Sequence, residues 1–122
     1  MKKDYKILVA DDSSEVQEAI KTALEKSYEL NIVSTPEEAI NYTEQFDLLL
    51  TDFYFGKDKK SGLEVIKEKR KDLSAILMSS ELNQNVKNKC EKLNIPTFLK
   101  YEDNITPINE DKLKELIKSY LR

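Results

Sequence analysis

The chain has 122 residues, 39% hydrophobic and 35% charged, with a formal net charge of −3, so it can bury a proper core and carries no global field for nucleic acid or an anionic membrane surface. It contains no histidine, which removes Ser-His-Asp and Cys-His catalysis and most zinc sites. Its only glycines are Gly56 and Gly62, too few for a GxGxxG turn or a phosphate-binding P-loop, so any chemistry falls to carboxylates, hydroxyls and lysines.

The first apolar run, Ile7 to Ala10, stops at Asp11 and Asp12, which are followed by Ser13 and Ser14. Continuous rather than alternating hydrophobicity predicts a strand covered on both faces, over 5–10. Two carboxylates about 4 Å apart repel by roughly 1 kcal/mol in water and about 4 kcal/mol at an effective dielectric of 20. Their adjacency therefore needs a reason. Helix capping is one, since Asp12…Glu15 and Ser14…Gln17 both have capping-box spacing. Val16, Ala19, Ile20, Ala23 and Leu24 then follow helical periodicity.

Leu30 to Val33 predicts a second strand over 29–34, and Thr35, Pro36 and Glu38 open a helix as N-cap, first-position proline and capping-box acid. Leu48 to Leu50 predicts a strand over 46–51, which ends at Asp52; Leu63 and Ile66 mark a third helix. Ala75 to Met78 predicts a strand over 74–79 ending in Ser79 and Ser80. The series Leu82, Val86, Cys90, Leu93 has helical spacing, with Cys90 as a small buried hydrophobe rather than a reactive thiol. Thr97 to Leu99 predicts a last strand over 96–100, ending at Lys100, and Leu113, Leu116, Ile117, Tyr120 and Leu121 predict the last helix. A single cysteine excludes an internal disulfide and fits a reducing compartment. There is no signal-peptide pattern and no run near the ~18 apolar residues of a membrane span. A cytoplasmic location is expected.

Five strand–helix repeats imply a parallel sheet with right-handed crossovers and helices on both faces. In such a sheet ligands bind outside the carboxyl ends of the strands. Asp11 and Asp12, Asp52, Ser79 or Ser80, and Lys100 all converge there. Each has an ordinary explanation alone, but four of five strands ending in such groups is hard to assign to accident.

At these residues the chain resembles the receiver domain of two-component response regulators, through "ILVADD", "FDLLLTD", "SGLEVIKE", "AILMSS" and the lysine of "TFLK". The resemblance spans residues 1–122, read as one receiver domain. It implies an α/β fold with a doubly wound five-stranded parallel sheet in order 2-1-3-4-5, the flavodoxin-like receiver fold. It also implies a signalling phosphoacceptor rather than an enzyme. Asp52 would be the nucleophile that forms an acyl phosphate. Asp12 would bind Mg2+ directly, together with Asp52 and the backbone carbonyl of Tyr54, and Asp11 would hold metal-bound water. Lys100 and Ser79 would contact phosphoryl oxygens. Mg2+ would then offset the repulsion between Asp11 and Asp12, with capping by Asp12 or Ser13 a secondary role. The implied partners are a histidine kinase or histidine phosphotransfer protein and an output protein or domain, without direct nucleic-acid or membrane contact.

Three departures from the family pattern stand out. Asp52 and Gly62 are ten positions apart, a wider spacing than usual, so "FYFGKDKKSG" implies a longer loop. Lys100 is followed by Tyr101 where the family usually has proline after a cis bond; a non-proline cis bond costs about 3–4 kcal/mol, so a trans bond or a strained cis bond is expected. Thr97 occupies the place of the switch aromatic, with Phe98 beside it on the opposite side of the strand as a core residue. These departures favour an alternative, a non-switching receiver-like interaction module. Tyr54 and Glu81, two positions beyond Asp52 and Ser79, are expected to flank the path of hydrolytic water, with the Tyr54 hydroxyl within reach of Glu81. A phosphohydrolase with an aspartyl nucleophile is disfavoured, because Tyr54 stands where a second acid is wanted.

Overall fold

A computed structural model describes residues 4–55, 61–69, 74–81 and 83–121. Strands and helices alternate: β1 (Lys6–Ala10), α1 (Ser14–Leu24), β2 (Glu29–Val33), α2 (Pro36–Ile40), β3 (Leu48–Asp52), α3 (Gly62–Lys69), β4 (Ala75–Ser79), α4 (Gln84–Lys92), β5 (Thr97–Leu99) and α5 (Glu110–Tyr120). All strand pairs are parallel, in the order β2-β1-β3-β4-β5. Each predicted strand is found, most of them slightly shorter than expected, and β3 runs through Asp52 instead of stopping before it.

The pleat divides each central strand between two cores. Ile7 and Val9, Leu48 and Leu50, and Ile76 and Met78 face α1 and α5, where they pack with Val16, Ile20, Leu24, Leu113 and Ile117. Leu8 and Ala10, Leu49, and Ala75 and Leu77 face the other way, against Ala39, Leu63, Ile66, Val86 and Cys90. Burial on both faces is why β1, β3 and β4 read as unbroken apolar runs. Edge strand β2 is only half-buried, and its sequence is correspondingly weaker. Cys90 is buried in the second core, as its spacing predicts.

Helix starts follow local chemistry. Ser13, not Asp12 or Ser14, caps α1: the Val16 N–H donates to Ser13 Oγ at 3.3 Å. Thr35 and Glu38 form the predicted capping box, and Asn83 and Asn109 cap α4 and α5. Leu82, expected in the fourth helix, and residues 56–60 of the long loop lie outside the described residues. Among the described residues no peptide bond is cis, so Lys100–Tyr101 is trans.

Candidate functional site

The four adjacent strands β1, β3, β4 and β5 bring their carboxyl ends to one edge, and the residues placed there are polar although buried. Asp11, Asp52, Ser79 and Lys100 are all less than 6% exposed. The β1–β2 ladder continues one step past Ala10, as the Asp11 N–H donates to the Val33 carbonyl at 3.1 Å. Asp52 pairs with Met78 and Ser79 with Leu99, and the Lys100 N–H donates to the Ser79 carbonyl at 2.9 Å. Backbone ladders therefore fix where each of these side chains leaves the sheet.

Lys100 is the centre of the cluster. Its Nζ lies 3.1 Å from Asp11 Oδ2 and 3.1 Å from Asp52 Oδ1. The other Asp11 oxygen, Oδ1, accepts from the Ser13 N–H at 2.9 Å, so both oxygens of Asp11 are engaged. Gln17 of α1 bridges the Asp11 carbonyl, at 2.5 Å, and Ser34 Oγ, at 3.1 Å. Asp12 is exposed. One carboxylate oxygen from each of Asp11, Asp12 and Asp52 lies within 4.8 Å of the others, a grouping that could hold a metal ion.

Electrostatics follow from this crowding. Burial raises the Asp52 carboxyl to a pKa of about 6, the charge on Asp11 adds to the rise, and Lys100 pulls against both. Burial likewise raises Asp11, with Lys100 opposing. For Lys100 burial works downward, but Asp11 and Asp52 reverse it and the amine ends above its ordinary value. Three carboxylates against one ammonium leave an excess of two negative charges, which a divalent cation matches. All donors are hard oxygens, with Asp12 open to solvent and each Asp11 oxygen already accepting one protein hydrogen bond. That set fits Mg2+, which retains water and takes few protein ligands: Asp12 and Asp52 would hold it, with Asp11 acting through water.

The remaining expected residues fall into place unevenly. The Ser79 hydroxyl donates to the Glu81 carbonyl at 2.6 Å, and the Glu81 N–H donates back to Ser79 Oγ at 3.2 Å. The hydroxyl is thus tied to its own turn rather than offered to a ligand. Tyr54 is 59% exposed, with its ring edge-on to buried Phe53 at a centroid distance of 4.4 Å. The expected reach of the Tyr54 hydroxyl to Glu81 is not present among the hydrogen bonds of the described residues: packing against Phe53 keeps the ring on its own loop, and the Glu81 backbone is occupied by Ser79. Phe98 lies in the first core, as expected, and Thr97 is half-buried beside it.

Three contributors escaped the sequence reading. In the sequence Gly62 only marks the end of the long loop, yet a Cβ there would meet the Asp52 carbonyl oxygen at 2.1 Å. Gln17, which the sequence offers only as a capping-box partner of Ser14, instead reaches the Asp11 carbonyl and Ser34. Tyr101, next to Lys100, reaches Glu15 of α1 with its hydroxyl at 3.4 Å and packs on the first core.

A doubly wound sheet in this order, with acids and a lysine at its carboxyl edge, is the architecture of a receiver-type domain. Neither a protein-family model nor a curated protein sequence matches the chain. Solved structures do. The response regulator TrrA from Thermotoga maritima, in complex with Mg(2+)-BeF, is similar with a TM-score of 0.76 and 28% identity over 97% of this chain and 100% of that one. The BeF3-activated DrrB receiver domain matches at 0.78 with 23% identity, over 96% and 97% of the two chains. The chemotaxis protein CheY4 from Vibrio cholerae matches at 0.77 with 18% identity, over 96% and 98%. The chain has the fold of response regulator receiver domains.

Proposed function

We propose that residues 1–122 form a phosphoacceptor receiver domain of a two-component or phosphorelay pathway. The observation that carries this reading is Lys100 Nζ, 3.1 Å from both Asp11 and Asp52 at the carboxyl edge of the sheet. An Asp52 oxygen would attack the phosphorus of a phosphohistidine on a histidine kinase or phosphotransfer protein. As the P–O bond forms, the P–N bond breaks and the electron pair leaves with the imidazole. Such transfer asks the protein mainly to position groups and stabilise charge.

Lys100 serves both needs. It neutralises Asp52 before transfer and is within reach of a phosphoryl oxygen on that carboxylate afterwards. Asp11, hydrogen-bonded by the Ser13 N–H, holds the ammonium from the other side. Ser79 would release the Glu81 carbonyl and donate to a second phosphoryl oxygen. Bound Mg2+ would supply the positive charge that lets an anionic donor approach an anionic carboxylate. Leaving the Ser79–Glu81 hydrogen bond remodels the β4–α4 turn, which would shift the population of partner-binding states. We place the protein in the cytoplasm, where kinase and output partner would meet it.

A second reading, a receiver-like interaction module that does not switch, is favoured by buried Phe98 and by Thr97 in place of an exposed aromatic. Incubation with acetyl phosphate tests the phosphoacceptor reading, with intact mass as readout. The phosphoacceptor reading expects a mass gain of one phosphoryl group that requires Mg2+ and is abolished by chelator. No gain with Mg2+ present contradicts it.

A further inference from the structure

Helices α3 and α4, with Ser61 at the start of α3, border an open groove of about 360 Å3. Leu63 and Leu93 form its apolar lining, and Leu93 is 43% exposed. Lys67 of α3 and Lys89 and Lys92 of α4 surround it, with Glu64 as the single acid among the described residues. Among the described residues none of these lysines has an ion-pair or hydrogen-bond partner. Three ammonium groups against one carboxylate make a positive patch in a chain of net charge −3. The helix dipole accounts for lysines in last turns, but not for their convergence on an exposed leucine.

We infer that this groove is a docking site for an acidic peptide segment of a partner protein, with one aliphatic side chain seated on Leu63 and Leu93 and carboxylates beside Lys67, Lys89 and Lys92. Lysines are point charges on flexible stems, suited to carboxylates spread along a chain; among the described residues no arginine fork lines the groove for bidentate grip on one compact anion. The open shape fits an extended segment better than a small ligand, which a pocket would bury almost completely. Docking here requires no chemistry at Asp52.

The test is an NMR titration of the isotope-labelled full chain with the synthetic peptide Gly-Asp-Glu-Leu-Asp-Glu-Gly. Saturable shifts confined to α3 and α4 are expected, with binding weakened about tenfold by Lys89→Glu/Lys92→Glu, a loss of ~1.4 kcal/mol. Both positions are exposed, so the variant keeps the fold. Replacing the peptide's leucine by serine, or raising salt, should also weaken binding. Absence of shifts, shifts elsewhere, or binding indifferent to the double charge reversal overturns the inference. Equal shifts with citrate alone would assign the groove to small anions, and concentration-dependent shifts without peptide would assign it to a second copy of the chain; either overturns it as well.

Discussion

Gly62 lies against the backbone of Asp52: a Cβ at Gly62 would stand 2.1 Å from the Asp52 carbonyl oxygen and 3.2 Å from Thr51 Cγ2. The Gly62 N–H also donates to the Phe53 carbonyl at 2.9 Å. The first turn of α3 therefore fixes the segment that carries Asp52. Gly62→Ala must push α3 or β3 aside, an overpacking cost of about 1–3 kcal/mol that exceeds the ~1 kcal/mol helix-propensity gain. A lower urea midpoint and slower labelling of Asp52 are expected. A stabilised variant, as at an unobstructed helical glycine, would show that the contact yields freely.

Acidity should tune stability in a defined sense. Asp52 has a folded pKa of about 6, above the ~3.9 of an unfolded chain. The folded state therefore holds the proton more tightly, and this group's contribution to stability falls as pH rises from about 4 to about 6. Asp11 is shifted the same way. Lys100, raised by its two acids, stays charged throughout this window. Glu102 and Asp103 are shifted down by hydrogen bonds and act in the opposite sense, so the comparison must be with Asp52→Asn. The stability advantage of Asp52→Asn without Mg2+ should grow by about 1–3 kcal/mol between pH 4.5 and pH 7.5. An advantage constant across that range would show that Asp52 is not raised.

Metal should relieve the same crowding. A ligand that binds only the native state adds about 1.4 kcal/mol at ten times its Kd. Thermal melts in millimolar Mg2+ should exceed those in chelator, and Asp12→Ala should erase most of the difference, since Asp12 is the exposed member of the trio. An unchanged wild-type melting temperature at saturating Mg2+ is the contrary outcome.

The lifetime of the phosphorylated state should depend on Tyr54. Its ring stands exposed on the loop directly after Asp52, edge-on to Phe53, where it can obstruct in-line water without help from Glu81. An obstruction of about 1.4 kcal/mol lengthens a lifetime tenfold. Tyr54→Asn should therefore lose phosphate faster once donor is removed. Decay at the wild-type rate or slower would rule out such a gate.

Much of this architecture was written in local patterns. Ile7 to Ala10, Leu48 to Leu50 and Ala75 to Met78 are continuous because both sheet faces are covered, and their polar terminators mark the edge where a parallel sheet exposes its site. What stayed illegible depends on contacts between distant segments. Nothing local distinguishes Gly62 as a close-approach glycine, or Gln17 as the bridge between Asp11 and Ser34. Ser13 rather than its neighbours caps α1 because Asp11 takes the Ser13 N–H and aligns that turn. Ile108 adopts φ 62° with its side chain in the core, where a β-branched residue is unfavourable; the Lys100 carbonyl, accepting from the Ile108 N–H at 2.7 Å, holds it there.

Asp52 is proposed to accept the phosphoryl group, and one comparison tests this directly. Wild-type protein and Asp52→Asn should be incubated side by side with acetyl phosphate and Mg2+ and read by intact mass. The wild type should gain one phosphoryl group and Asp52→Asn none, while both remain folded by circular dichroism. Equal labelling of the two proteins would contradict the assignment of Asp52.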